Sequence, residues 1–206
     1  MLAAICVLAI GGAVGYLLAS RKQQQDAVRH ASPVAQTPLA TVQAQPRIVF
    51  RNTALGSSYG MVGMVALNAP AGARALTGTS CDRVYATQKN LLCLSSTRGV
   101  VTTYAAHVLD PNLHASQALP LTGIPSRARL SHDGDYAATT SFTAGDSYAG
   151  TSFSTRTVIS KIGGKSYGSL EDFTLVHDGK SIKPVDRNYW GVTFAADDDT
   201  FYATVE

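Results

Sequence analysis

Two stretches of this chain read as versions of one hairpin, and that constrains the fold more than any other feature. RARLSHDGDYAATT at 127–140 aligns with GVTFAADDDTFYATV at 191–205 with one inserted residue. Leu130 then meets Phe194, Asp133 meets Asp197, and Tyr136, Ala138 and Thr139 meet Phe201, Ala203 and Thr204. Ala128–Leu130 and Tyr136–Phe142 are β-prone runs, and Asp133-Gly134 between them supplies the φ > 0 that a tight hairpin turn requires. A fainter third copy is Cys81–Thr87, where VYAT echoes FYAT. A hairpin recurring with further strands between its copies predicts a fold assembled from one repeated supersecondary unit.

The rest of the chain after residue 46 agrees. Further predicted strands are Arg47–Phe50, Tyr59–Leu67, Cys81–Ala86, Leu91–Ser95, Val100–Leu109, Ala118–Thr122, Arg156–Ile162, Tyr167–Leu170, Asp172–Val176, Ser181–Val185, Trp190–Ala195 and Thr200–Val205. Gly, Pro, Asn and Asp punctuate them. Four strands per unit is the pattern of a β-propeller blade. The expected fold is all-β, a partial β-propeller of about three blades over residues 47–206. Since a closed ring needs about four to eight blades, the stretch is expected to be part of a longer ring, a truncated product, or a chain that completes itself by pairing.

Ser131-x-Asp133-Gly134-x-x-x-Ala138 resembles the blade motif of the TolB-like propeller family. In the second copy Ala195 and Asp198 replace the Ser and Gly. The stretches WGVTFAADDDTFYAT (190–204), LPLTGIPSRARLS (119–131) and RGVVTTYAA (98–106) are similar to actinobacterial membrane-anchored members of that family. The resemblance implies that Ser131, Asp133, Gly134, Tyr136, Ala138, Asp197, Phe201 and Ala203 shape blade hairpins and carry no catalysis. It also implies a role in envelope translocation or maintenance. Tyr189 and Trp190 are expected to pack between blades.

Leu2 to Ala19 carries no charge and is long enough to cross a hydrocarbon core of about 30 Å. An uncleaved anchor over residues 1–22 is preferred to a cleaved signal peptide, because the run exceeds a usual signal core and no Ala-x-Ala follows it. Arg21 and Lys22 follow the span, which by the positive-inside rule favours a cytoplasmic domain. Residues 23–46, rich in Gln, Ala, Pro and Ser, read as a disordered tether.

Cys81 and Cys93 fall on consecutive predicted strands. Neighbouring antiparallel strands bring Cβ atoms within disulfide reach, and two buried thiols are the alternative. A disulfide requires an oxidising compartment, so the domain is expected outside the cytoplasm despite Arg21 and Lys22. Apolar residues make up 45% of the 206 and charged ones 15%, so the bulk is a packed domain. The net charge of +3 comes without a dense basic patch, which argues against a nucleic-acid partner.

Chemistry is sparse. Gly56-Ser57-Ser58-Tyr59-Gly60 fits G-x-S-x-G, but a strand-like run follows where a nucleophile elbow needs a helix. The acids at 133, 135 and 197–199 lack the calcium-loop pattern, and His30, His107, His114, His132 and His177 lack zinc spacing. The expected function is a non-enzymatic module without cofactor, held in the membrane by residues 2–19 and binding a protein or envelope ligand. The rival reading is the propeller part of a secreted hydrolase or peptidase.

Overall fold

The computed structural model describes residues 2–30, 34–144, 153–184 and 187–206. Val185, the end of one predicted strand, and residues 31–33 of the predicted tether lie outside the described residues.

Helix α1 (Leu2–Arg29) has no proline and no charge before Arg21. It is long and apolar enough to cross a membrane, and none of its apolar window is buried against the protein. It does not stop at the basic pair. Gln23–Arg29 is made largely of good helix formers, and the helix continues through it.

The tether expectation fails further along as well. Arg74 N–H donates to Ala35 O at 2.8 Å, and Thr37 N–H donates to Arg74 O at 3.1 Å. The short helix α2 (Leu39–Gln43) follows. Leu39 and Val42, three residues apart on one helical face, turn inward, and Val42 is 2% exposed. Gln43 Nε2 also donates to Pro111 O at 2.6 Å. The prolines break periodicity, but two apolar residues in register suffice to dock the segment.

Among the described residues, fifteen strands form five antiparallel sheets. The first sheet is β1 (Arg47–Arg51), β2 (Met61–Ala66) and β3 (Ala75–Ser80). The second is β4 (Arg83–Ala86), β5 (Leu91–Thr97), β6 (Thr103–Leu109) and β7 (Ala115–Leu119). The third is β8 (Ile124–Leu130), β9 (Tyr136–Ala144), β10 (Phe153–Lys161) and β11 (Ser166–Ser169). A 3-10 turn at Leu170–Asp172 leads to the hairpin β12 (Leu175–His177) and β13 (Lys180–Ile182). A last hairpin is β14 (Tyr189–Phe194) and β15 (Phe201–Val205). Strands within each sheet are neighbours in sequence order.

Among the described residues, three apolar cores lie between the first and second sheets, the second and third, and the third and the last hairpin. Strand β5 feeds two of them because its side chains alternate: Leu91 and Cys93 enter the first core, Leu92 and Leu94 the second. Ala137 faces the second core and Ala138 the third. The opening strands run side by side, β1 against β4, β4 against β8, and β8 against β14.

The register corrects the repeat. Leu130 pairs with Ala137 and Phe194 with Phe201, so each turn spans the same number of residues and nothing is inserted. Phe201 is therefore equivalent to Ala137, and Ala203 to Thr139. The aligned pairs Tyr136–Phe201 and Ala138–Ala203 are one residue out, which in a strand exchanges the two faces. The third copy shifts more. Ala86 pairs with Leu91 across its turn, so VYA lies on an opening strand, where its equivalents are Ala128–Leu130 and Val192–Phe194. The repeat common to all three sheets is a burial pattern. Leu91, Ala137 and Phe201 each face the core towards the preceding sheet.

Candidate functional site

The turns that open the second, third and last sheets are joined in a row. In the middle one, Ser131 Oγ donates to Asp133 Oδ1 at 2.6 Å and accepts the Tyr136 N–H at 2.9 Å. Asp133 Oδ1 also accepts the Asp135 N–H at 2.9 Å. Gly134 has φ +77°, and an added Cβ would meet Thr87 Oγ1 at 3.2 Å. The Gly134 carbonyl accepts from Asn90 Nδ2 at 2.9 Å, which ties this turn to the one before it.

In the last turn Asp197 Oδ1 accepts the N–H groups of Asp199 (3.1 Å) and Thr200 (2.9 Å), so Asp197 does the work of Asp133. Asp198 occupies the position of Gly134 with φ +60°. Its carboxylate crosses to the middle turn and accepts the N–H groups of His132 (2.5 Å) and Asp133 (3.1 Å). The Ser131 hydroxyl, helped by the Asp135 N–H, holds the Asp133 carboxyl below its ordinary range. The Thr200 backbone N–H does the same for Asp197. These carboxylates are occupied with backbone geometry. Among the described residues no group of three or more His, Cys, Asp or Glu side chains is placed to hold a metal ion.

Tyr136 stacks obliquely on Tyr167, with ring centres 6.2 Å apart, and Phe201 meets Phe194 at 6.4 Å. Ala138 and Ala203 line the third core from its two opposing sheets. Tyr189 is buried in that core. Trp190 reaches the third sheet edge-on at Phe142, 6.1 Å away, and its Nε1–H donates to Glu206 Oε2 at 2.9 Å. Both residues thus connect the last hairpin to the third sheet.

Cys81 and Cys93 form a disulfide with Cα atoms 5.4 Å apart, and both are buried in the first core. Cys6, on α1, is free. The G-x-S-x-G match leads from a turn directly into strand β2, and the Ser58 carbonyl accepts from Asn52 Nδ2 at 3.0 Å.

A feature the sequence reading missed lies in the seam between β8 and β14. It is a concavity of about 410 Å³ lined by Arg127 and Arg129, by Trp190–Thr193, and by Tyr202–Thr204. Arg127 crosses close over Gly191, whose added Cβ would sit 2.6 Å from Arg127 Cδ. Arg129 lies 5.2 Å over the Tyr85 ring and returns one bond to the Ala128 carbonyl. No carboxylate is among the lining residues. The signal was in the alternation of Arg127-Ala128-Arg129-Leu130. Ala128 and Leu130 fill the second core, which sends both cations to the other face.

Comparison of the chain with protein-family models, with curated proteins and with solved structures finds no match.

Proposed function

We propose that this chain is a membrane-tethered, extracytoplasmic binding module built as part of a TolB-like β-propeller. On this reading α1 is a single-pass anchor, and the module recognises a protein or cell-envelope ligand without catalysing a reaction, in envelope translocation or maintenance. The observation that carries it is the adjacency of the opening strands. Four of the five sheets begin at strands that touch in series, β1 to β4 to β8 to β14, and the hairpin β12–β13 stands outside the series. Blades set radially about an axis have this relation. Export is supported by the disulfide, because paired cysteines persist in oxidising compartments.

The row of opening turns offers a rigid face for a partner. Its loops are cross-linked by the Asp198 and Asn90 bonds, and His132 stands exposed upon it. The test places a photo-cross-linking residue at His132 in the full chain in membranes, with Arg98, in the loop at the other end of the second sheet, as comparison. Discrete adducts from position 132 and none from 98 are expected. Absence of adducts from 132, or the same smear from both, contradicts a binding face there.

A further inference from the structure

We infer that the seam between β8 and β14 is a binding site for a soluble oxyanion, a phosphate- or carboxylate-bearing molecule held by Arg127 and Arg129. The inference rests on the binding-module reading and names a ligand class for one place in it.

Charge is distributed unevenly. The whole chain has 17 basic and 14 acidic residues. The four opening strands carry Arg47, Arg51, Arg83, Arg127 and Arg129 and no acidic residue at all. Those strands lie side by side, so the five arginines belong to one row of strands.

Within that row, Arg127 and Arg129 are the pair left for a ligand. They leave one face of β8 roughly 7 Å apart along the strand. Neither takes part in an ion pair among the described residues. By contrast, Arg47 donates to Gln43 O, Arg51 to Cys81 O and Arg83 to Ser126 O, each bracing another segment, whereas the one bond of Arg129 among the described residues is to the adjacent Ala128 carbonyl. Glu206 is engaged by the Trp190 Nε1–H and pairs with neither arginine. The remaining polar groups of the seam include the hydroxyls of Thr193, Tyr202 and Thr204, which can donate to an oxyanion.

Guanidinium forks match phosphate and carboxylate geometry, and two of them without a counter-charge in a concavity favour an anion over a cation or neutral ligand. The volume falls in the range of small-molecule sites, and the Trp190 ring offers a flat wall for the uncharged part of the ligand. Gly191 is built into the site: the space above it is where the Arg127 stem passes.

Trp190 is the sole tryptophan, so its emission reports the seam directly. The full chain, in nanodiscs of phosphatidylcholine, is titrated with pyrophosphate and with tricarballylate. Phosphatidylglycerol vesicles and a single-stranded oligonucleotide serve as separate arms. The inference expects a saturable, salt-sensitive change with at least one of the two small anions. Arg127→Gln and Arg129→Gln each weaken it tenfold or more, Arg129→Lys weakens it less, and Lys180→Gln leaves it unchanged. Circular dichroism establishes that each variant is folded. The inference is overturned if neither small anion gives a saturable change, if the change survives both glutamine variants, or if only vesicles or only the oligonucleotide elicit it. A flat titration beside position-132 adducts removes the site and keeps the binding module. A saturable titration in a domain facing the cytoplasm does the reverse.

Discussion

The Asp198 carboxylate accepts the Asp133 backbone N–H at 3.1 Å, from one hairpin turn to the equivalent turn of the neighbouring sheet. Asp198 stands where its counterpart is Gly134, and both have positive φ. Substitution therefore separates two effects. Asp198→Gly loses the inter-turn bonds but keeps the backbone conformation, costing roughly 1–2 kcal/mol. Asp198→Ala loses the bonds and adds left-handed strain, for a total of roughly 2–3 kcal/mol. Asp198→Asn retains an acceptor and tolerates the conformation, so it costs the least, about 1 kcal/mol. Urea unfolding measures the order. Equal losses for Asn and Ala contradict the bridging role.

Acid weakens the same row of turns. The folded-state pKa values of Asp133 and Asp197 lie below the ordinary 3.8. Their contribution is thus complete above the unfolded value and is lost as pH falls through the lower folded values. Thermal midpoints are expected to stay level from neutral pH down to about 5 and to fall below about 4. Asp133→Asn lowers the neutral plateau and flattens the acid slope. An unchanged slope in that variant contradicts the assignment.

Val42 tests whether residues 34–46 belong to the domain. Val42→Ala leaves a cavity in the first core and is expected to cost roughly 1–3 kcal/mol. A free tether predicts no change in the unfolding midpoint.

The disulfide closes a loop with a sequence separation of 12. Its removal by Cys81→Ser with Cys93→Ser is expected to cost about 3 kcal/mol. In denaturant without reductant only the bridge protects these two cysteines, so thiol labelling should modify Cys6 alone. Labelling at Cys81 or Cys93 without reductant contradicts the bridge.

Local patterns were legible in the sequence, and long-range neighbours were not. The hairpins over 127–142 and 190–205 and the Cys81–Cys93 pairing follow from turn residues and alternation. Strand β3 was missed because Ala75–Ser80 contains Gly78 and buries only Ala75, so it carries little hydrophobic signal. Val100 and Val101 read as strand but lie exposed in a loop. A β-branched pair specifies a strand only where something packs on it. Identity of letters places Ala203 on Ala138. The register shows that the recurring property is the buried face. Seam residues on β8 and on β14–β15 are 61 to 77 positions apart in the chain, and only the order of the sheets brings them together.

Gly191→Ala probes that meeting point. Gly191 has φ +122°, and the new methyl would collide with Arg127 Cδ. The expected outcome is a loss of roughly 1–3 kcal/mol together with a shifted Trp190 emission maximum. A variant with wild-type stability and emission contradicts the close approach.

The central claim is a binding domain held outside the cytoplasm by α1, and reporter topology at the C-terminus tests it most directly. Alkaline phosphatase, active only after export, and green fluorescent protein, fluorescent only when left inside, are each fused after Glu206 of the full chain in its membrane. The account expects phosphatase activity, no fluorescence, and an oxidised Cys81–Cys93 pair. Fluorescence with a silent phosphatase and two reduced cysteines would contradict it.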